Sequence, residues 1–191
     1  MNKIIFGGTG LLGSAIKEEF NRVKSLSSKD LDLTDQEVTN NWFKTNKKLV
    51  EESIVFICAG KVSGIGGQKN YEMLIKNLRI GINLFENLKK YQKKGYSIYF
   101  SSSCVYPAKL NNYHENDLFK GKFEKTNEGY AIAKATCQTL SNFSNIDLGK
   151  RQFLNIIPSN IWGENDNWDL NTGHVLTAIT RKIYNAKKAN E

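Results

Sequence analysis

Short, almost continuously apolar runs alternate along the chain with longer stretches whose apolar residues recur every three or four positions. The runs "KIIF" at 3–6, "IVFIC" at 54–58, "SIYF" at 97–100 and "FLNII" at 153–157 have the length and density of strands buried on both faces, and a weaker run at 23–26 makes a fifth. Between them the spacing predicts helices over 11–23, 35–45, 71–91, 130–143 and 174–186. Strands that alternate with helices predict an α/β protein with a Rossmann-like, doubly wound parallel sheet, helices on both faces and ligands at the carboxyl ends of the strands. The helix over 71–91 is apolar on two sides, Leu74, Leu78, Ile82 and Phe85 on one and Ile80, Leu84 and Leu88 near the other. A one-sided surface helix needs only one such stripe, so the second predicts packing on a partner subunit.

Composition narrows the class. The chain has 191 residues, 40% of them apolar, with two prolines, no internal repeat and no low-complexity linker, which predicts one well-buried domain over 1–191. The start, "MNKIIFGGTG", has no signal-like apolar segment, and nowhere do 18 apolar residues run together, so the expectation is a cytoplasmic protein without a membrane anchor. The net charge of +8 comes from scattered lysines on helix faces rather than from a groove of alternating basic and aromatic residues, which favours solubility over nucleic-acid binding. Cys58, Cys104 and Cys137 fit neither a disulfide framework nor a zinc site, and with His114 and His174 as the only histidines the prediction is reduced thiols and no metal.

The first predicted strand runs into "GGTGLLG", which sets Gly7, Gly10 and Gly13 at G-x-x-G-x-x-G spacing around Thr9 and Leu11, just before a helix. Glycines there permit a tight turn, close approach of backbone to a pyrophosphate and close helix packing, while the helix N-terminus offers N–H donors to the anion. The loop therefore reads as a dinucleotide site. At the end of the second strand an NAD site places a carboxylate for the ribose 2′-hydroxyl, but here the run is "KSLSSKDLDLTD". Ser27, Ser28 and Lys29 suit a 2′-phosphate and favour NADP(H), with Asp30 close enough to argue the other way and Lys29 also readable as a solvated turn residue. Asp32 reads either as a cap for the adenine amino group or as a turn stabiliser. The glycine-rich "AGKVSGIGGQKN" after the 54–58 strand places Ala59 and Gly60 nearest the cofactor, its remainder toward the nicotinamide end and a sugar.

"YAIAK" sets Tyr130 and Lys134 four residues apart on one helix face, an arrangement that predicts an ammonium beside a phenol, lowering its pKa. In "SSSCVYP", after the 97–100 strand, Ser102 and Cys104 stand at a strand end among polar neighbours. Cys58 and Cys137, in a strand and a helix, read as packing, His114 as a surface residue and His174, after a glycine at a helix start, as either a cap or an acid.

These motifs together resemble the extended short-chain dehydrogenase/reductase superfamily, and within it most closely the GDP-L-fucose synthase family of GDP-4-keto-6-deoxy-D-mannose 3,5-epimerase/4-reductases. The resemblance runs through "GGTGLLGSAI", "AGKVSGI", "SSSCVYP", "ENDLFKG", "TNEGYAIAK", "IPSNIWG" and "DNWDLNTGHV", the cysteine and the last segment being its most specific parts. It implies that Ser102, Tyr130 and Lys134 are a reductase triad, that Cys104 and His174 are the acid/base pair of epimerisation, and that Asn160 positions a GDP-linked keto-deoxy sugar, with Ser103 a further substrate contact. Lys182, about two turns beyond His174, reads either as a contact to the diphosphate or as one of many solvated lysines. It also implies NADP(H) as cofactor, a homodimer joined through a helix bundle, and roughly a further hundred residues, mostly a C-terminal substrate domain, beyond those present. The readings kept beside it are a related GDP-sugar epimerase or reductase, a non-catalytic dinucleotide-binding module, and a nucleic-acid binder motivated by charge alone.

Overall fold

The computed structural model describes residues 1–62 and 70–189. Five strands form one fully parallel sheet: β1 (Lys3–Phe6), β2 (Lys24–Leu26), β3 (Ile54–Ile57), β4 (Tyr96–Phe100) and β5 (Phe153–Ile156), in spatial order β2-β1-β3-β4-β5. Ile4, Ile5 and Phe6 are fully buried, which is why β1 reads as an unbroken apolar run and occupies the interior of the sheet. The chain steps from β1 outward to β2, then returns past β1 to β3. The sheet thus has its switch point between β1 and β3, where a crevice opens at the carboxyl ends.

The helices are α1 (Leu11–Glu18), α2 (Gln36–Thr45), α3 (Lys47–Glu51), α4 (Asn70–Tyr91), α5 (Glu128–Leu148) and α6 (Val175–Ala189). Right-handed crossovers that step in opposite directions put α1 on one face and α2, α4 and α5 together on the other, giving the Rossmann-like fold. Trp42 and Phe43 of α2 pack on Phe6, with ring centroids 5.5 and 5.6 Å away, and Phe85 of α4 makes edge contacts with Tyr99 and Phe153. α4 and α5 lie close together because Gly81 has no side chain. A Cβ there would come within 2.1 Å of the Cys137 sulfur, and Cys137 is buried between the two helices.

Several boundaries differ from the sequence expectation. α1 stops at Glu18 rather than at 23, because Phe20 leaves the helix to pack on Phe56 of β3 beneath the Lys3 ammonium. α5 runs past 143 to Leu148, where Gly149 in the left-handed conformation (φ 60°) returns its N–H to the carbonyls of Asn145 and Ile146. α2 begins after Asp35, whose carboxylate caps the Val38 N–H, and α3 has no counterpart in the periodicity reading. β3 ends before Cys58, so that thiol lies beyond the strand at the crevice rather than within the sheet. Phe85 belongs to the inner face of α4, not the outer one; Leu74 and Leu78 stay half-buried and Ile82 exposed on the outside. Among the described residues no helix is long and apolar enough to cross a membrane.

Candidate functional site

The glycine turn is built for a close approach. Gly7 has φ +87°, and a Cβ on it would meet the Ala59 nitrogen at 2.6 Å, so the β1 and β3 ends touch here only because residue 7 is glycine. Gly13 lets α1 sit directly on the turn, since a Cβ there would lie 2.2 Å from the Gly7 carbonyl oxygen. Gly7 and Gly8 both donate their N–H groups to the Leu26 carbonyl, tying the turn to β2. Gly10 caps α1 without a side-chain hydrogen bond, so the cap leaves the first amides of the helix without a side-chain acceptor from its own residue.

Beside the turn lies a cleft of about 310 Å³. Of the residues that the sequence assigns to the cofactor, Gly7, Thr9, Gly10, Ser28, Asp32, Ala59 and Gly60 line this cleft, whereas Leu11, Gly13 and Lys29 do not. The Asp30 carboxylate is turned back onto Ser27, accepting from its N–H at 2.8 Å and its hydroxyl at 2.7 Å, and these bonds hold its pKa below the usual carboxylate value. Asp32 accepts from the Thr34 hydroxyl and N–H, with the same downward effect, which makes it a turn stabiliser on the cleft wall. Sequence reasoning missed Lys76 and Ile80, which reach the cleft from one face of α4 at i, i+4 spacing. It also missed buried Asn77, whose side chain exchanges two hydrogen bonds with the backbone of Lys61 and so fixes the chain just beyond Gly60. The remainder of the glycine-rich loop, 63–69, lies outside the described residues.

The second half of the site forms where β4 ends. Ser102 caps a 3-10 turn over Ser103–Val105, its hydroxyl accepting from the Cys104 N–H at 3.3 Å, and α5 packs on this turn. Tyr130, in the first turn of α5, stands close enough to Ser102 for its hydroxyl to act on the phenol. Lys134, buried, donates to the Phe100 carbonyl at 2.8 Å and stands 4.8 Å from the Tyr99 ring and 5.8 Å from that of Tyr130. Gly60 joins the two halves, because a Cβ there would meet Lys134 Nζ at 3.7 Å.

Electrostatics here correct one expectation. Burial takes the Lys134 ammonium down to about 8, and burial also pushes the Tyr130 phenol well above its usual value, with the nearby Cys104 adding to the rise and the Ser102 hydrogen bond opposing it. Spacing alone suggested a phenol lowered by the lysine. The ammonium instead faces the Phe100 carbonyl, and desolvation outweighs it, leaving Tyr130 protonated at neutral pH. Burial likewise raises the Cys58 thiol to about 12, which keeps it an uncharged part of the cleft wall.

Cys104 is half-buried in the turn, and its sulfur accepts from Asn127 Nδ2 at 3.0 Å. The structure thus brings Ser102, Cys104, Tyr130 and Lys134 together. His174 stands apart at the entrance to α6: its ring is 52% exposed and its Nδ1 lies 3.0 Å from Asp166 Oδ1. No hydrogen bond or ion pair among the described residues joins it to Cys104. Ser103 is half-buried in the turn, while Asn160 and Lys182 are exposed. Among the described residues no cluster of three or more potential ligands could hold a metal.

A parallel sheet with a glycine turn at its switch point and a Tyr-Lys helix beside a strand-end serine defines a dinucleotide-binding α/β protein of the reductase type. The chain belongs to the NAD dependent epimerase/dehydratase family, whose profile matches residues 4–191. It is 31% identical over 198 residues to the GDP-L-colitose synthase of Yersinia pseudotuberculosis, covering 97% of this chain and 61% of that protein. Among solved structures it is similar to a GDP-D-glycero-L-gluco-heptose synthase from Campylobacter jejuni in the presence of NADPH (TM-score 0.87, 27% identity, 97% of this chain and 55% of the other). It is also similar to a GDP-L-fucose synthetase from Naegleria fowleri bound to NADP (TM-score 0.81, 28% identity, 98% and 59%). The chain therefore spans less than two thirds of the length of the relatives it matches.

Proposed function

We propose that the chain carries the cofactor site and catalytic residues of an NADPH-dependent GDP-4-keto-6-deoxy-D-mannose 3,5-epimerase/4-reductase, which forms GDP-L-fucose. The observation that carries this reading is a half-buried thiol, Cys104, in the same short turn as Ser102 and near enough to Tyr130 to act on its phenol. A simple ketone reductase needs the serine, tyrosine and lysine but has no use for a base beside them.

The tight turn that Gly7 and Gly13 permit, with Gly7, Thr9 and Gly10 lining the cleft at the start of α1, fits a dinucleotide pyrophosphate, and the cleft wall from Leu26 to Asp32 fits its adenosine end. When bound, NADPH supplies the hydride that reduces C4. The residues of the chain do the rest. The ketone acidifies the hydrogens at C3 and C5; Cys104 takes a proton from one side of the sugar and His174 returns one to the other. Ser102 and Tyr130 donate hydrogen bonds to the carbonyl oxygen as charge develops on it. Tyr130, kept protonated by burial, then gives its proton to O4. Lys134 places positive charge beneath the site from its seat on the Phe100 carbonyl. NADPH oxidation with candidate GDP-4-keto sugars, and product stereochemistry read by NMR, tests the assignment. A GDP-heptose 4-keto sugar is the second reading, favoured by the similarity to the Campylobacter enzyme, and the same assay separates the two.

The Asp30 carboxylate, folded back onto Ser27, leaves the exposed Ser28 and Lys29 at the cleft edge, which supports a 2′-phosphate there. NADPH is expected to bind more tightly than NADH, and Lys29→Glu to narrow or reverse the difference; equal affinities in both forms, measured by fluorescence titration, would count against NADP. The outer stripe Leu74, Leu78 and Ile82, with exposed Phe143 and Ile146 on α5, suits a homodimer, which sedimentation at micromolar concentration would detect. Leu154 and Ile156 of β5 and the exposed apolar side of α6, including Val175, Ile179 and Ile183, suit a seat for a substrate-binding C-terminal unit. Cytoplasmic location follows as part of the same reading.

A further inference from the structure

The segment "DNWDLNTGHV", the most specific motif in the sequence apart from the cysteine, holds beside His174 a carboxylate, Asp166, that the reaction as described does not use. Asp166 and His174 lie eight residues apart, and the loop between them is built to close that gap. Asp169 Oδ1 accepts from the Asn171 N–H at 3.0 Å, the Thr172 N–H at 2.9 Å and the Thr172 hydroxyl at 2.9 Å. The Asn167 side chain bridges the Asp169 N–H and the Thr172 carbonyl. Gly173 donates to the Asp169 carbonyl at 2.8 Å, and a Cβ on it would come within 2.4 Å of the Asn167 oxygen, so only glycine can precede the histidine. On the other side the His174 carbonyl accepts from the Ala178 N–H and from the hydroxyl of fully buried Thr177. The histidine backbone is therefore fixed from both directions.

The Asp166 side chain is only 4% exposed. Oδ1 receives the Asn167 N–H at 2.8 Å and faces His174 Nδ1 at 3.0 Å, while Oδ2 is buried without a hydrogen-bond partner among the described residues. A buried carboxylate with so few donors makes the imidazole N–H a partner it can hardly forgo. We infer that Asp166 is the positioning residue of the epimerisation acid: it holds the proton of neutral His174 on Nδ1 and leaves Nε2 as the ring atom that exchanges protons with the sugar. The inference rests on the proposed epimerase reading. The half-exposed ring takes a proton from solvent on Nε2; in the step itself the Nε2–H bond of that imidazolium breaks as the electron pair left on carbon by Cys104 forms the new C–H bond, returning a neutral ring whose remaining proton stays against Asp166.

The test uses ring nitrogen-15 spectra of the whole chain, in which only His114 and His174 contribute. The native protein is expected to show His174 in the Nδ1–H form. Asp166→Asn, whose carboxamide can donate toward the ring, is expected to move the proton to Nε2. In turnover the same variant is expected to lose about a hundredfold or more in epimer formation, with KM unchanged and reduction of a ketone already bearing the product stereochemistry retained. Asp166→Glu should restore part of the loss. An Nε2–H ring in the native protein, or one unchanged by Asp166→Asn, overturns the inference. So does a variant in which epimerisation and reduction fall together, which is the behaviour of a loop clasp. Because the native spectrum stands by itself, a variant that fails to fold leaves the inference testable. An Nδ1–H ring in a chain that epimerises no keto sugar sinks the epimerase reading while the Asp166–His174 assignment stands.

Discussion

Lys134→Met is expected to make the protein more stable at neutral pH and to abolish ketone reduction. The ammonium is buried, and burial lowers it from its ordinary 10.5 to about 8. The unfolded chain therefore binds more protons than the folded one between those values, and stability rises with pH across that interval. Below pH 8 the full cost of burying the charge is present, about 3 kcal/mol. Met keeps the volume and removes the charge, but it gives up the hydrogen bond to the Phe100 carbonyl, worth about 1 kcal/mol. The net gain at pH 7 is about 2 kcal/mol, or a rise in Tm of about 6 °C for a chain of this length. The gain shrinks as pH rises from 8 and is gone by 10.5. Thermal unfolding of both forms at pH 7 and pH 10 measures it. A variant less stable than the native protein at pH 7 would mean that the carbonyl and the Tyr99 ring compensate the charge fully, and that Lys134 is kept for structure rather than chemistry.

Tyr130→Phe is expected to lower C4 reduction by a factor of about 10² to 10⁴ while proton exchange at C3 and C5 continues. Reduction needs a proton at O4, and the phenol is the group that burial keeps protonated beside Ser102. Exchange needs only a base and an acidified C–H. Ketone consumption followed through NADPH absorbance, with exchange in deuterated water followed by NMR, separates the two; equal loss of both would place Tyr130 in substrate binding instead.

Strands were legible wherever the sequence runs continuously apolar, and β1, β3, β4 and β5 fall within a residue of expectation, but β5 buries one face only, since Leu154 and Ile156 are exposed. Helix ends were less legible because tertiary contacts decide them. Phe20 fits the period of α1 but finds Phe56 instead, and Phe85 fits an outward stripe but fills the space between Tyr99 and Phe153. The glycine turn could be read because glycine is a physical requirement at Gly7 and Gly13. The partners of the site residues could not: Asn77, Asn127 and Asp166 act through contacts across 16, 23 and 8 residues, and no local pattern announces them. The spacing of Tyr130 and Lys134 was right, but its electrostatic meaning depended on burial that a heptad of sequence does not reveal.

Exchange into a GDP-4-keto-6-deoxy sugar in deuterated water without NADPH shows whether the reductase site also contains an epimerisation base. Deuterium is expected at C3 and C5 with the native chain and is expected to be lost with Cys104→Ser, while that variant still binds NADPH and still reduces a 4-ketone of finished stereochemistry. Ketone reduction by the native chain with no deuterium at either carbon, or exchange unchanged by Cys104→Ser, would contradict a base at Cys104.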